Sequence, residues 1–366
     1  MLRRTSSVIG ALSPLLVLLS GCAGTQAMMR PFIQTQPEVA FKAKDYKDPA
    51  KIVGGQAEVY KLSQTVLDKD ADLLAAYAPI IVQGVEGAAN KSYEPDSDLI
   101  GQPLLKTVST GGYAINIDTQ SPTLFSSVEK VRVRDADLTQ LVYVFWYPRH
   151  PVGLVEKGEI DGGVLRITLD AAQRPAIYEF VLACGCWHGL FVEDQVEAWA
   201  EKEFKSKEAG KKWFVEKTVQ NEDDWKVRDI VLGHGEKVRP VLFLSAGRHE
   251  CVAIQTENVV GGLDALPAKT FTLQSYSELD RLPVLGDSKQ QFAPMFNPDG
   301  LVWGGRRKGE EKIFTKLDHG GWPRRLNAMK IHWDQEAFND SSLLDKFMRT
   351  PHKLVEPDAV VSSLHR

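Results

Sequence analysis

Reactive side chains are concentrated in a short stretch of this 366-residue chain, residues 183–188 (ACGCWH), at the end of an apolar run. In an extended strand, alternate side chains point to the same face, so we expect Cys184, Cys186 and His188 to project together. Thiolates and an imidazole on one face are the donor groups of a soft-metal site. The same thiols could instead form a disulfide or act as a redox pair.

A second stretch, residues 248–252 (RHECV), repeats the arrangement on another predicted strand. If the two strands are neighbours, they predict a zinc or copper site with five candidate ligands: Cys184, Cys186, His188, His249 and Cys251. A closed set of four ligands would be structural. Three ligands would leave a coordination position for water, as in a metal-dependent hydrolase, with Glu250 or Asp161 as a nearby carboxylate.

The alternative to a metal is a disulfide between Cys251 and either Cys184 or Cys186. A direct bridge from Cys184 to Cys186 would be strained, because side chains two apart in a strand are separated by about 7 Å. Gly185 favours a tight turn or a close backbone approach between the two cysteines, since glycine weakens a plain strand.

Residues 1–22 have the pattern of a bacterial export signal: two early arginines, an apolar segment over residues 8–19, and a final LSGC. This pattern resembles the lipobox of bacterial lipoproteins. The resemblance implies cleavage before Cys22, a diacylglycerol on its thiol and an acylated amino group. Because Ala23 rather than Asp follows, it also implies a lipid anchor in the outer membrane of a Gram-negative cell, on the periplasmic side.

Composition and missing motifs exclude several classes of function. The formal net charge is −4 and no basic run is present, which argues against a nucleic-acid partner. The sequence contains no serine-hydrolase elbow, dinucleotide fingerprint, P-loop, HExxH zinc motif or CxxCH haem motif. The sequence therefore names no catalytic residue, and it identifies no protein or small-molecule partner.

The hydrophobic pattern predicts an α+β fold with an antiparallel β-sheet or sandwich core and a few flanking helices. Alternating or continuously apolar runs predict strands at 130–134, 141–147, 164–169, 176–183, 241–244 and 251–254. Helical spacing predicts helices at 62–78, 192–204 and 343–347. The strongly charged segment 205–238 is expected to be a surface lobe or long loop.

The predicted domain organisation has four parts. Residues 1–21 are the removed signal, 22–60 are the lipidated N-terminus and tether, 61–355 are one α+β domain, and 356–366 are a polar tail. Within the domain, His150 lies between an arginine and a proline and is expected in a loop. Asp161 is expected among solvated charges at strand ends.

Three stretches together resemble the order of elements in Vps62-like β-sandwich proteins. They are the aromatic strand LVYVFWYP at 141–148, the glycine-rich acidic turn and strand GEIDGGVLRITL at 158–169, and SAGRH at 245–249. The resemblance implies a β-sandwich, and we carry no function over from it.

The sequence thus predicts an anchored binding or scaffold lipoprotein of the cell envelope, with a Cys/His metal or disulfide cluster in its sheet. The alternative is a metal-dependent hydrolase that uses the same five side chains as ligands. Whether the protein is an enzyme is left open by its sequence.

Overall fold

The computed structural model describes residues 41–63, 71–85, 93–109, 111–151, 158–185, 187–217, 226–286, 291–304, 323–331 and 336–357. These residues belong to one compact unit, Glu38–Arg366. The predicted signal, residues 22–40 of the predicted tether with Cys22, Cys186 and residues 358–366 of the predicted tail lie outside the described residues. No helix among the described residues is long and apolar enough to cross a membrane.

The described part of the chain is mostly β. In chain order its strands are β1 Ala57–Leu62, β2 Ile80–Gly84, β3 Gln102–Thr107, β4 Tyr113–Asp118, β5 Thr123–Val133, β6 Ala136–His150, β7 Gly158–Leu169, β8 Pro175–Leu182, β9 His188–Glu193, β10 Val227–Val231, β11 Pro240–Leu244, β12 Cys251–Thr256, β13 Ala268–Ser275, β14 Leu282–Leu285, β15 Phe292–Ala293, β16 Lys330–Ile331 and β17 Glu336–Ala337.

Helices are few and short. They are α1 Pro49–Ile52, α2 Ala71–Ala76, α3 Asp194–Phe204 and α4 Leu343–Phe347, with 3-10 turns at Asp45–Lys47, Leu263–Ala265, Tyr276–Asp280 and His352–Leu354. The predicted helix at 192–204 is confirmed as α3, and the one at 343–347 as α4. The prediction for 62–78 is confirmed over α2, whereas Leu62 is the last residue of β1 and residues 64–70 lie outside the described part of the chain.

Eleven strands form one large mixed sheet in the order β10-β9-β8-β7-β6-β5-β13-β1-β2-β11-β12. The run from β5 to β9 is an antiparallel meander, as predicted, but β5, β13 and β1 pair in parallel, and so do β2 and β11. The expected antiparallel α+β core is therefore corrected to a β-rich near-barrel. A smaller sheet, β15-β14-β3-β4, and the pair β16-β17 accompany it.

The barrel nearly closes between its two edge strands, β10 and β12. The side chain of Gln255 on β12 accepts a hydrogen bond from the backbone nitrogen of Leu232 and donates one to the carbonyl of Ile230, each at 2.9 Å. The hydroxyl of Thr256 donates to the carbonyl of Leu232. Side chains thus satisfy edge-strand backbone groups that no neighbouring strand pairs with at this seam.

Both faces of the central strands are buried, which explains their nearly continuous apolar sequence. On β6, Tyr143, Phe145 and Tyr147 point into the barrel, while Val144 and Trp146 point outward. The small sheet, α3 and the C-terminal segments cover the outer face of the meander. Residues 41–53 cover the outer face of β1, β2, β11 and β12.

Strand directions bring several chain segments to one end of the barrel. The ends of β6, β8 and β11 and the starts of β7, β9 and β12 all lie there, because successive pairs in the sheet fix their directions. The described residues of the two predicted clusters all lie at this end of the barrel: Cys184, His188, His249 and Cys251.

Candidate functional site

Three buried side chains meet at this end of the barrel, in a group that could hold a metal ion. They are His150, the last residue of β6, Asp161 near the start of β7, and His249 in the turn between β11 and β12. One donor atom from each lies within 4.8 Å of the others. The side chains of Asp161 and His249 are fully buried, and that of His150 is 3% exposed.

Asp161 joins the two histidines. Its Oδ2 lies 2.7 Å from Nδ1 of His150 and 2.9 Å from Nδ1 of His249. An ionised carboxylate only accepts hydrogen bonds, so Nδ1 of each histidine carries the hydrogen in this arrangement. One carboxylate oxygen therefore holds both imidazoles in a fixed orientation.

A second carboxylate, Asp98, approaches His249 from the other side. Oδ1 of Asp98 lies 3.1 Å from Nε2 of His249 and accepts the backbone N–H of Gly247 at 2.7 Å. The imidazole of His249 is thus held between two buried carboxylates.

The two acids favour the charged form of His249. Burial by itself lowers the pKa of this histidine, but hydrogen bonds and charge–charge attraction from Asp161 and Asp98 raise it to about 9. Burial opposes ionisation of Asp98, yet the hydrogen bond and charge of His249 keep the pKa of that carboxyl below its usual value. His249 therefore carries hydrogen on both ring nitrogens and donates to both acids.

A tight backbone turn points His249 into the barrel. The backbone N–H of His249 donates to the carbonyl of Ser245, and that of Ser245 donates to the carbonyl of Glu250. Gly247 and His249 both have positive φ, 70° and 57°, which is uncommon for a residue with a side chain. Strain of this kind persists where surrounding contacts over-determine it, and it clusters at functional sites.

The end of β6 reaches His150 although Pro148 interrupts the strand's backbone donors. Pairing continues past the proline, with Tyr147 opposite Asp161 and Arg149 opposite Glu159. The expectation that His150 lies in a loop is therefore wrong. Asp161 is likewise buried at the site rather than solvated at a strand end.

Cys184 and His188, the described residues of the first predicted cluster, do not lie on one face of the sheet. The chain leaves β8 after Leu182 and turns, with the backbone N–H of Gly185 donating to the carbonyl of Leu182 at 2.7 Å. Gly185 has a φ of 77°, so the expected tight turn is confirmed. Cys184 packs in the barrel interior, whereas Nε2 of His188 lies 3.4 Å from Oε1 of Glu179 on the outer face.

The sulfur chemistry also differs from the expectation. Cys184 is disulfide-bonded to a partner outside the described residues, and a sulfur in a disulfide is not available as a thiolate ligand. Cys251 is a free, buried thiol whose S–H donates to the carbonyl of Ala253. The prediction of a disulfide between Cys251 and Cys184 or Cys186 is therefore wrong. Burial raises the pKa of this thiol well above its usual value, which disfavours the thiolate.

Of the five predicted ligands, the structure places His249 in the Asp161 group. Sequence reasoning set His150 aside and did not single out Asp98, which lies in a polar segment without strand periodicity. A signal was present in the case of Asp161, which the sequence analysis named as a carboxylate near the cluster. Its pairing with Tyr147 belongs to the β6–β7 register that the structure shows.

Comparisons with protein-family models, with curated proteins and with solved structures give no match to this chain.

Proposed function

We propose that this protein is a metal-binding protein of the bacterial envelope, with His150, Asp161 and His249 as the metal ligands. The observation that carries the proposal is the convergence of two imidazole nitrogens on one buried carboxylate oxygen. Two histidines and one carboxylate are a recurrent ligand set for divalent first-row metals. The ion would clamp the end of the barrel by joining β6, β7 and the β11–β12 turn.

The two hydrogens between these groups mark where an ion would bind. Metal ligands must be deprotonated, so an ion binding here would displace the hydrogens on Nδ1 of His150 and of His249. In a tetrahedral site, donor atoms about 2.0–2.1 Å from the ion lie about 3.3 Å apart. The present separations of 2.7 and 2.9 Å would widen by about half an ångström.

Asp98 fits the role of a supporting group. A histidine that binds a metal usually donates its other ring N–H to a carboxylate or carbonyl, which fixes the ring orientation. Asp98 lies on the far nitrogen of His249 and is itself held by the backbone N–H of Gly247. The site thus offers three ligands and one carboxylate that orients a ligand.

Zinc is the first candidate ion and copper the second. Imidazole binds both, and a set of nitrogen and oxygen donors suits the divalent ions rather than Cu(I), which prefers sulfur. The ligand set differs from the Cys/His set expected from sequence, but the candidate metals remain the same.

The proposed envelope location rests on the N-terminal sequence alone. The arginines, apolar segment and LSGC ending favour a lipid anchor at Cys22 in the outer membrane, facing the periplasm. We propose that the barrel acts there as a binding or scaffold domain. Protein and small-molecule partners are not identified.

A metal-dependent hydrolase is the second candidate function. Three protein ligands would leave at least one coordination position for water, and a bound metal lowers the pKa of such water. Asp98 adds a carboxylate near the group. The burial of all three ligands favours the binding or structural role, because a substrate must reach the ion for turnover.

The test is metal content measured by mass spectrometry. The protein would be purified without chelator, with its N-terminus beginning after Cys22, alongside His150→Gln and the control His234→Gln. His234 is an exposed histidine that pairs with Asp194, so its variant changes histidine content without touching the site. We expect about one zinc or copper per chain in the parent and the control, and a large loss in His150→Gln.

Two outcomes would count against the proposal. One is no bound metal even after the purified protein is incubated with zinc. The other is equal zinc uptake by the parent and His150→Gln.

If the parent instead binds metal near-stoichiometrically, assays for hydrolase activity would follow. Activity that is lost when the metal is removed and restored by zinc would support the second candidate function.

A further inference from the structure

The small sheet β15-β14-β3-β4 has one buried face and one exposed face. Along β14, Leu282 and Val284 are buried whereas Pro283 and Leu285 are exposed, as the alternation of side chains in a strand requires. Leu282 and Val284 belong to the core that covers the outer face of the meander. The opposite face of the small sheet therefore forms part of the protein surface.

This surface is apolar where β14 and β15 pair. Phe292 of β15 is 54% exposed and pairs with Pro283, and Leu285, two residues further along β14, is 44% exposed. Among the described residues the one other large hydrophobic side chain that is exposed is Val128, on β5 of the large sheet. Exposed apolar side chains that adjoin mark interaction sites, whereas single ones are ordinary. We call Pro283, Leu285 and Phe292 the apolar patch.

Two exposed cations border the apolar patch. Lys106 of β3 is the register partner of Leu285, so their side chains share one face of the sheet. Arg281, the residue before β14, places its guanidinium 5.4 Å from the centre of the Phe292 ring. In the described part of the chain, no carboxylate lies within ion-pair distance of either cation. Both are therefore available to an anionic partner.

The acids close to this face are engaged elsewhere. Asp118 of β4 lies at the far end of the face, in register with Gln102, and accepts a hydrogen bond from the hydroxyl of Ser121 at 2.8 Å. Asp280 pairs with Arg325. Neither acid neutralises the two cations that border the apolar patch.

A lipid bilayer with anionic headgroups matches this combination of side chains. Apolar side chains can enter the boundary between headgroups and acyl chains, while cations beside them contact the phosphates. A symmetric dimer through the same face would instead bring Lys106 and Arg281 of both copies together, and like charges oppose such an association. The charges therefore favour a lipid surface over a second copy of the chain.

The proposed lipid anchor would keep the domain close to such a surface. If Cys22 carries the lipid, the chain of residues 22–40 reaches at most roughly 65 Å. A tether of this kind gives a high effective concentration of membrane, so that a weak docking contact would still be populated.

We propose that the apolar patch, together with Lys106 and Arg281, docks the domain on an anionic phospholipid bilayer. Phe292 and Leu285 enter the headgroup region, and the two cations contact lipid phosphates. This docking rests on the envelope location proposed above and does not involve the metal centre.

The experiment is co-sedimentation with lipid vesicles of the protein whose N-terminus begins after Cys22. This protein keeps all the described residues and has no lipid anchor. Vesicles of phosphatidylcholine with about one-third phosphatidylglycerol are compared with vesicles of phosphatidylcholine alone. We expect at least about tenfold stronger binding to the anionic vesicles.

Variants locate the docking surface. Phe292→Ser should weaken binding to anionic vesicles about tenfold, because the inserted ring is lost. Lys106→Gln should weaken it about fivefold and leave binding to neutral vesicles unchanged. Val128→Ser is the matched apolar control on the large sheet, and Lys269→Gln is the matched charge control, because Lys269 pairs with Glu58. Both controls should bind like the parent.

The melting temperature shows whether each variant is folded, and Leu285→Ser repeats the test at the neighbouring exposed position. Absence of binding to anionic vesicles by the parent would overturn the proposal. So would equal binding by the parent and Phe292→Ser. A dimer of the parent, seen by sedimentation velocity and abolished in Phe292→Ser, would assign the face to a second copy instead.

These readouts are separate from those of the proposed function, since they need neither the anchor nor a metal. The mass of the full-length protein, expressed in a Gram-negative host, reports lipidation of Cys22. An unmodified Cys22 would count against the envelope anchor and leave vesicle binding unchanged.

Discussion

The phenol ring of Tyr147 stacks flat on the imidazole of His249, with ring centroids 3.8 Å apart and an interplanar angle of 10°. The hydroxyl of Tyr147 donates to Oε1 of Gln83 at 2.6 Å, and Gln83 in turn donates to the carbonyls of Gly84 and Ser245. The stack therefore ties the turn that carries His249 to β2 and β6. A charged imidazole over an aromatic face is also favoured electrostatically.

Replacing Tyr147 separates the stack from the hydrogen bond. Tyr147→Phe keeps the ring and leaves Gln83 without its donor, which should cost about 1–3 kcal/mol of unfolding free energy. Tyr147→Leu loses the stack as well, which should cost about 0.5–1.5 kcal/mol more. The smaller buried side chain of leucine should lower the unfolding free energy further. Urea denaturation measures both. Equal stabilities of the two variants would show that the stack contributes nothing.

Asp161 and Asp98 should differ in their effect on metal binding. Asp161→Asn removes the proposed carboxylate ligand, which contacts both histidines, so bound zinc should be lost. Asp98→Asn keeps all three ligands and removes only the acceptor at Nε2 of His249, so zinc affinity should fall about 10–100-fold. Competition with a coloured zinc chelator measures both affinities. A larger loss of zinc affinity in Asp98→Asn than in Asp161→Asn would contradict this assignment and indicate that Asp98 is the ligand.

Asp161 and Asp98 should also stabilise the metal-free protein. Each substitution leaves the buried, charged His249 with one carboxylate fewer, and breaking a buried ion pair costs about 3–5 kcal/mol. Urea denaturation in the presence of chelator isolates this effect. The control variant is Asp264→Asn, whose exposed carboxylate pairs with Lys61 at the surface, and it should leave the unfolding free energy nearly unchanged.

Local patterns in the sequence were sufficient for the meander and the main helix. The run 141–147 is apolar at every position because both faces of β6 are covered, and 192–204 has a helical stripe that packs beside β9. The near-barrel could not be predicted in this way. It depends on parallel pairs such as β1 with β13, whose partners are about 200 residues apart and leave no local pattern.

The candidate site was only partly predictable for a related reason. His249 was identified from its position beside a predicted strand, but the partner cluster was inferred by assuming that residues 184–188 stay extended. The turn at Gly185 separates Cys184 from His188 and removes that premise. His150 was expected in a loop because it lies between Arg149 and Pro151, although β6 continues past Pro148 to His150.

Gln255 should be important for closure of the barrel. Gln255→Leu keeps the side-chain size and removes both hydrogen bonds across the seam, which leaves Leu232 N–H and the Ile230 carbonyl without these partners. We expect a loss of about 2–4 kcal/mol in unfolding free energy, with faster amide hydrogen exchange in β10. Gln120→Leu, on an exposed turn, is the control. Unchanged exchange in β10 would show that the seam is held by other contacts.

Cys251 should be unreactive in the native protein. Its thiol is buried in the barrel interior and its pKa is raised by burial, so the nucleophilic thiolate is scarce. A thiol reagent such as Ellman's should modify Cys251 only after denaturation. The variant Cys251→Ala should lower the count of thiols in the denatured protein by one. Rapid modification of the native parent at this residue would contradict its buried position.

Glu193, at the junction of β9 and α3, has an unusual environment for an acid. Its side chain is buried, and its Oε1 accepts a hydrogen bond from the hydroxyl of Tyr178 at 2.7 Å. Burial and the neighbouring charge of Asp194 raise the pKa of Glu193 to about 8. His234 pairs with Asp194 and offsets part of that charge.

This carboxyl should make the protein less stable as the pH rises. The unfolded chain releases the proton near the ordinary pKa of 4.5, whereas the native protein holds it to about 8, so the native state binds more protons between these values and stability falls with increasing pH. Glu193→Gln cannot ionise and should remove this slope, and near pH 8.5 it should exceed the parent by a few kcal/mol in unfolding free energy. Urea denaturation at about pH 5 and pH 8.5 measures the effect, with exposed Glu201→Gln on α3 as the control. Parallel pH profiles for the parent and Glu193→Gln would mean that Glu193 is ionised in the native protein at neutral pH.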